Sequence, residues 1–356
     1  MIIYFILLIF TTVIGLKKVN SEECDYMSIK MTNSIKGFFV VLVFISHIWG
    51  YTEFSDPYLD IWYQKYIRGK MGQCVVTMFL FYSGYGIMES IKTKGQDYVN
   101  RIPIHRFLNV LLQFDCAVML YWLYRCLTGT HYGIKRMLLT FIGWDGIGNS
   151  NWYIFCILWV YLFTFISFRI FKDNYKKAVI GVLILSILYM AIVCKMGKEY
   201  WWYDTILCYS WGMLFAFYRK KIEDLINENK RTWLFFLFIF VLSYIITYYY
   251  KSNSPLIYQL WVFCFVASIV TFTMHYVVDS KVLRGGGMIL FELYILQRLV
   301  MMILKPHMLV GDITYIEKYT YVTVCFLGTI VISIIYRKTI GKLIKHIIVN
   351  IHKQCR

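Results

Sequence analysis

The sequence predicts an all-α fold, a polytopic transmembrane helix bundle of about ten to eleven spans with its N-terminus outside and its C-terminus cytoplasmic. Of the 356 residues, 59% are hydrophobic and 16% charged, a balance foreign to a soluble domain of this length. Apolar runs of membrane-spanning length recur from end to end, and no polar block between them is long enough to fold separately. The basic residues also divide unequally between alternate loops. Twenty-five of the 37 Lys and Arg fall on one side and 11 on the other, counting Arg125 at a span's edge with its loop, while Arg298 stands within a span. By the positive-inside rule the richer side is cytoplasmic. The net charge of +17 therefore reads as topology and as affinity for a lipid bilayer. A nucleic-acid binder would gather its basic residues on a soluble module.

The spans are expected at 2–16, 37–54, 72–90, 107–127, 149–168, 178–194, 203–218, 232–250, 256–276, 288–304 and 319–336. The first is short, has no basic n-region and carries Lys17 and Lys18 on its far side, so it reads as an uncleaved span with its start outside; an interfacial or cleaved segment is the alternative. Residues 1–29 then form a span and a cytosolic linker, 30–336 one membrane domain, and 337–356 a tail. The stretch 136–148 is apolar but only a dozen residues long, which suits a re-entrant or interfacial helix on the outer side. The tail alternates basic and apolar residues at helical spacing, as a helix lying on an anionic inner leaflet does. The ten cysteines are scattered singly, without CxxC or paired His/Cys spacing, and support neither a metal site nor a disulfide framework.

The chemistry-bearing stretch is KGFFVVLVFISH, Lys36 to His47, with ten intervening and almost wholly apolar positions. Ionisable side chains in an apolar helix are costly and mark function. On one helix the two would lie about 16 Å apart, so a basic group at the cytosolic end is joined to an imidazole near mid-membrane. An imidazole is suited to proton transfer near neutral pH. The next span ends in MFLFYSGYGIMES, where Ser83 and its flanking glycines suit close helix packing and Tyr82 and Tyr85 offer hydroxyls. It leads into a loop with Lys92, Lys94, Arg101, His105 and Arg106, dense enough to receive a phosphorylated ligand as well as to fix topology. On the outer side GWDGIGNSNWYIF sets Asn149, Ser150, Asn151 and Trp152 at the start of a span, a polar and aromatic mix that suits a sugar. Glu292 and Arg298 lie six positions apart on one span, too far to pair with each other, so each is expected to meet another helix or a polar cavity. Asp115 offers a partner for a basic group.

Taken in order, these segments resemble the integral membrane acyltransferase 3 family, whose bacterial members O-acylate sugars, peptidoglycan and surface polysaccharides. The resemblance runs over residues 30–336. NSIKGFFVVLVFISH is similar to the family's motif of a basic residue, ten residues and a histidine; FLFYSGYGI, NSNWYIFCILWVY and FELYILQ resemble its later segments. Two residues depart from it: Lys36 where many members have Arg, and Gln297 where many have His. Lysine supplies the charge but not the bidentate fork.

The resemblance implies a membrane O-acetyltransferase of the bacterial cytoplasmic membrane that uses cytosolic acetyl-CoA and acylates a sugar hydroxyl of a polysaccharide or lipid-linked glycan. Lys36, Arg101 and Arg106 would meet the CoA phosphates. His47 would act as general base or take the acetyl group itself, and Ser83, Tyr82 and Glu292 would line the passage or stabilise the oxyanion. Asn149, Asn151 and Trp152 would hold the sugar. Succinyl transfer is an alternative that Arg298 leaves open. A glycan flippase would more often show repeated halves, and a polymerase a large Arg-rich outer loop; the sequence has neither.

Overall fold

The computed structural model describes residues 1–19, 25–52, 54 and 58–354. The helices in chain order are α1 (Ile2–Ile14), α2 (Ile29–Ile48), α3 (Tyr58–Trp62), α4 (Gly69–Met71), α5 (Cys74–Ile102), α6 (Asn109–Leu127), α7 (Ile134–Phe141), α8 (Trp152–Phe171), α9 (Tyr175–Lys195), α10 (Leu207–Ile226), α11 (Lys230–Tyr250), α12 (Pro255–His275), α13 (Lys281–Met288), α14 (Leu290–Met308), α15 (Tyr315–Tyr336) and α16 (Lys342–Gln354). Many begin at side-chain caps that satisfy otherwise orphaned N–H groups. Asn229 accepts from Arg231 N and Thr232 N at the start of α11, and Thr314 forms a capping box with Glu317 at the start of α15.

Every predicted span overlaps a helix. Among the described residues, seven helical runs are long and apolar enough to cross a membrane, or eight if α13 and α14, bent by 78°, count as one span. This is fewer than the ten to eleven expected, for local reasons. α1 has only 13 residues. α10 carries Arg219, Lys220, Lys221, Glu223 and Asp224 toward its end. α5 and α6 belong to one helical run, because the chain continues through a π-helical turn, Pro103–Leu108, instead of a loop. The expected re-entrant element is an eight-residue helix, α7, followed by irregular chain to Asn151.

Strands β1 (Leu16–Lys18) and β2 (Tyr276–Val278) pair antiparallel, with Lys17 opposite Val277. They tie the chain between α1 and α2 to that between α12 and α13. Asp279, just beyond β2, gathers Lys17 at 3.1 Å, Lys30 at 3.1 Å and Arg284 at 2.7 Å. Burial opposes the charge of that carboxyl, but the hydrogen bonds from Lys17 and Lys30 prevail and hold it below its usual range. At the opposite end, Asp60 accepts from Ile2 N at 2.7 Å and from the Tyr315 hydroxyl at 2.7 Å, joining α1, α3 and α15. Loops assigned to one side of the membrane by their charge therefore meet one another in space. We refer below to the basic end, which carries β1 and β2, and to the far end.

Two helix pairs touch backbone to backbone. A methyl group on Gly84 of α5 would fall 2.0 Å from the Tyr209 carbonyl oxygen, and one on Gly212 of α10 would fall 2.0 Å from that of Phe81. The glycine of the SG segment is thus a packing residue, as small residues in membrane helices commonly are. The pairing of α2 and α13 is equally close: a methyl on Gly37 would meet the Leu283 carbonyl oxygen at 1.7 Å. Gly212→Ala is expected to destabilise the bundle by about 1–3 kcal/mol through overpacking, read as a lower melting temperature in detergent. Gly285→Ala, which meets open space, should melt with the wild type.

Candidate active site

A cavity of about 600 Å³ opens among α2, α5, α8 and α14, and its lining includes Lys36, Tyr82, Ser83, Arg106, Tyr161, Glu292, Tyr294 and Arg337. Local sequence places each of them. Ser28 caps α2 and so fixes the rotation that turns Lys36 inward. Lys36 Nζ donates to Asn33 Oδ1 at 3.3 Å and lies 5.7 Å from the Tyr82 ring centroid. It has no carboxylate partner among the described residues. Ser83 faces it from α5, within 3.2 Å of the Tyr161 hydroxyl. Gly95, with φ of +56°, breaks the line of α5, and the π-helical turn that follows brings Arg106 to the cavity, where its Nε donates to the Tyr98 hydroxyl at 2.9 Å. Glu292 enters from the first turn of α14, and the 78° bend between α13 and α14 leaves room for it. Arg337 closes the rim, donating to the Met288 carbonyl. Three cations thus share the basic end of the cavity with one carboxylate.

The inner end of the cavity reaches Tyr294 and Tyr153, whose ring centroids are 5.3 Å apart. His47 lies beyond, with its ring centroid 6.2 Å from that of Tyr294. Its Nδ1 is buried without a hydrogen-bond partner. Arg68 donates to the Ser46 carbonyl, beside His47, at 3.2 Å, and Arg298 lies one turn after Tyr294 on α14. The helix that carries Lys36 on the wall of the cavity therefore also carries, near its end, an imidazole one aromatic ring from the cavity's inner end.

The predicted residues separate into groups. Lys36, Tyr82, Ser83, Arg106 and Glu292 come together around one cavity; Arg101, at the end of α5, is not among its lining. Asn149 and Asn151 lie in the loop before α8. Asn151 donates to the carbonyls of Gly143 at 3.2 Å and Asp145 at 2.9 Å, so it folds the loop on itself. Asn149 accepts from Ile147 N at 2.9 Å and leaves its Nδ2 unpaired. Trp152 starts α8 with its ring edge-on to Tyr153. Gln297 is buried, donates to the Tyr294 carbonyl and faces a separate apolar cavity. Asp115 has one buried oxygen without a partner and forms no ion pair among the described residues. Sequence reasoning missed Arg337, Tyr161, Arg68 and Arg125. The arginines were read as topological charges, whereas Tyr161 stood inside the NSNWYIFCILWVY segment and Tyr294, also missed, inside FELYILQ, two positions after Glu292.

The sequence model of an acyltransferase domain, that of the acyltransferase 3 family, matches residues 32–338. No curated protein and no solved structure matches the chain.

Asn151→Ala removes both bonds that close the loop over 143–151, a loss of roughly 1–3 kcal/mol. Hydrogen exchange at those residues is expected to quicken while the amides of α2 and α5 stay protected.

Proposed function

The chain belongs to the acyltransferase 3 family, and we propose that this multi-pass membrane acyltransferase moves an acetyl group from cytosolic acetyl-CoA to a sugar hydroxyl of a cell-surface or exported polysaccharide. The observation that carries the reading is the cavity. Lys36, Ser83, Arg106 and Glu292, far apart in sequence, share it, and its inner end stops one aromatic ring short of His47.

In this reading the basic end faces the cytosol of a bacterial cell, as the distribution of Lys and Arg supports. Lys36, Arg106 and Arg337 attract the phosphates of the donor at the mouth. The thioester arm enters past Tyr82 and Ser83, which a narrow polar passage through an otherwise apolar bundle requires. His47 takes the proton from the sugar hydroxyl as its oxygen attacks the thioester carbonyl. The carbon–sulfur bond breaks, the proton passes from the imidazolium to the departing CoA thiolate, and the acetyl ester and free CoA remain. The Ser83 and Tyr161 hydroxyls, donors along the passage, stabilise the oxyanion, while Lys36 stays with the phosphates. No group has to change oxidation state.

His47→Ala is expected to leave the protein folded in membranes and to abolish O-acetyl methyl signals in NMR spectra of the surface polysaccharide, with the polymer itself still made. Retained O-acetylation would overturn the assignment, and loss of the polymer would point to transport. Lys36→Met should raise KM for acetyl-CoA about tenfold, equivalent to about 1.4 kcal/mol, whereas Lys36→Arg should stay close to wild type.

A further inference from the structure

Beyond the cavity, at the far end, three arginines lie near His47 and the loop before α8 without an ion pair among the described residues. Arg68 donates to the carbonyl of Ser46, next to His47, at 3.2 Å, and Arg298 lies one turn after Tyr294 on α14, whose ring centroid is 6.2 Å from that of His47. Arg125 donates to the Ile147 carbonyl at 3.0 Å, which places it against the loop that holds Asn149. Among the described residues none of the three arginines has an ion pair. Two described carboxylates of the far end are engaged elsewhere: Asp60 with Ile2 and Tyr315, Asp145 with Arg136. Arg298 forms no hydrogen bond among the described residues, and its Nε is buried. Arg68 Nε and Asn149 Nδ2 are likewise buried and unpaired, on an asparagine that is only 5% exposed.

Unpaired guanidinium groups inside a membrane protein are costly, and buried donors left without acceptors add to that cost. The orphaned groups share one chemistry. All are donors, two of them on arginines with Arg125 a third positive charge nearby, and guanidinium matches carboxylate and phosphate oxygens in pairs. We propose that this cluster is the acceptor subsite and that the acceptor carries a carboxylate or phosphate close to the hydroxyl that is acylated. The assignment rests on the acyl-transfer reading and adds the acceptor's class: an acidic glycan. The cations at the basic end, about 16 Å away along α2, serve the donor's phosphates, so the two charge clusters have separate anions to hold.

The test uses the full chain in nanodiscs without acyl donor, titrated calorimetrically with methyl β-glucuronide, methyl β-glucoside 6-phosphate and methyl β-glucoside. At least one anionic glycoside is expected to bind about tenfold more tightly than the neutral one, and whichever wins separates a carboxylate-bearing acceptor from a phosphate-bearing one. Arg298→Gln, which breaks no hydrogen bond within the described protein, should erase the preference, and Arg298→Lys should keep most of it. Equal or absent binding of all three, or a preference that survives in Arg298→Gln and Arg125→Gln, overturns the proposal. A preference for succinyl-CoA over acetyl-CoA that disappears in Arg298→Gln would assign the cations to the acyl group and overturn it too. Because the glycosides are measured without donor, failure of acetyl-CoA to bind would fall on the acyl-transfer reading alone.

Discussion

Charge inside a hydrocarbon slab sets the terms for this structure. A lysine, an imidazole, several arginines and a glutamate cannot face lipid without large cost, so the bundle must turn them toward one another or toward an internal space. α2 shows the constraint most directly. It carries Lys36 in its first half and His47 next to its last residue, and both must point inward because the stretch between them is almost wholly apolar. The glycine contacts serve the same end. By letting α2 approach α13 and α5 approach α10 backbone to backbone, they close the outer contacts tightly and leave the opening among α2, α5, α8 and α14.

That opening divides the polar groups into two stations. At the basic end, cations from α2, from the turn after α5 and from the residue after α15 surround a cavity with one glutamate. At the far end, Arg68 lies beside His47 in the turn before α4, Arg298 one turn after Tyr294 on α14, and Arg125 of α6 against the loop before α8. Tyr294 stands between them, lining the cavity on one side and neighbouring His47 on the other. A donor held at the first station and an acceptor at the second would meet at a single histidine, and the group transferred would cross most of the apolar thickness without entering lipid.

Much of this was legible in the sequence because the dominant signal, long apolar runs bounded by basic loops, does not depend on tertiary detail. All eleven predicted spans overlap helices, and the Lys36–His47 spacing placed both residues on α2. Boundaries and breaks were harder. Nothing in the period of the apolar residues announces that Gly95 takes a positive φ or that the chain passes into α6 through a π-helical turn, yet both decide that Arg106, not Arg101, reaches the cavity. The bend between α13 and α14 was hidden for a similar reason: the Gly-rich stretch before Ile289 reads as loop, and only its packing under Gly37 makes it helical. Arg68, Arg125 and Arg337 were obscured by the very rule that gave the topology, since a basic residue at the end of a span is explained before its neighbours are known.

The central claim is that the acyl group passes through the bundle, entering beside Lys36 and leaving beside His47. It is tested most directly in proteoliposomes sorted by orientation with a terminal tag. Radiolabelled acetyl-CoA is supplied only to the face that carries Lys36 and Arg106, and a glycan acceptor is trapped on the other. Label in the trapped acceptor, and none when donor and acceptor share the Lys36 face, is the predicted result. Efficient labelling of an acceptor placed on the donor's own side would contradict the account.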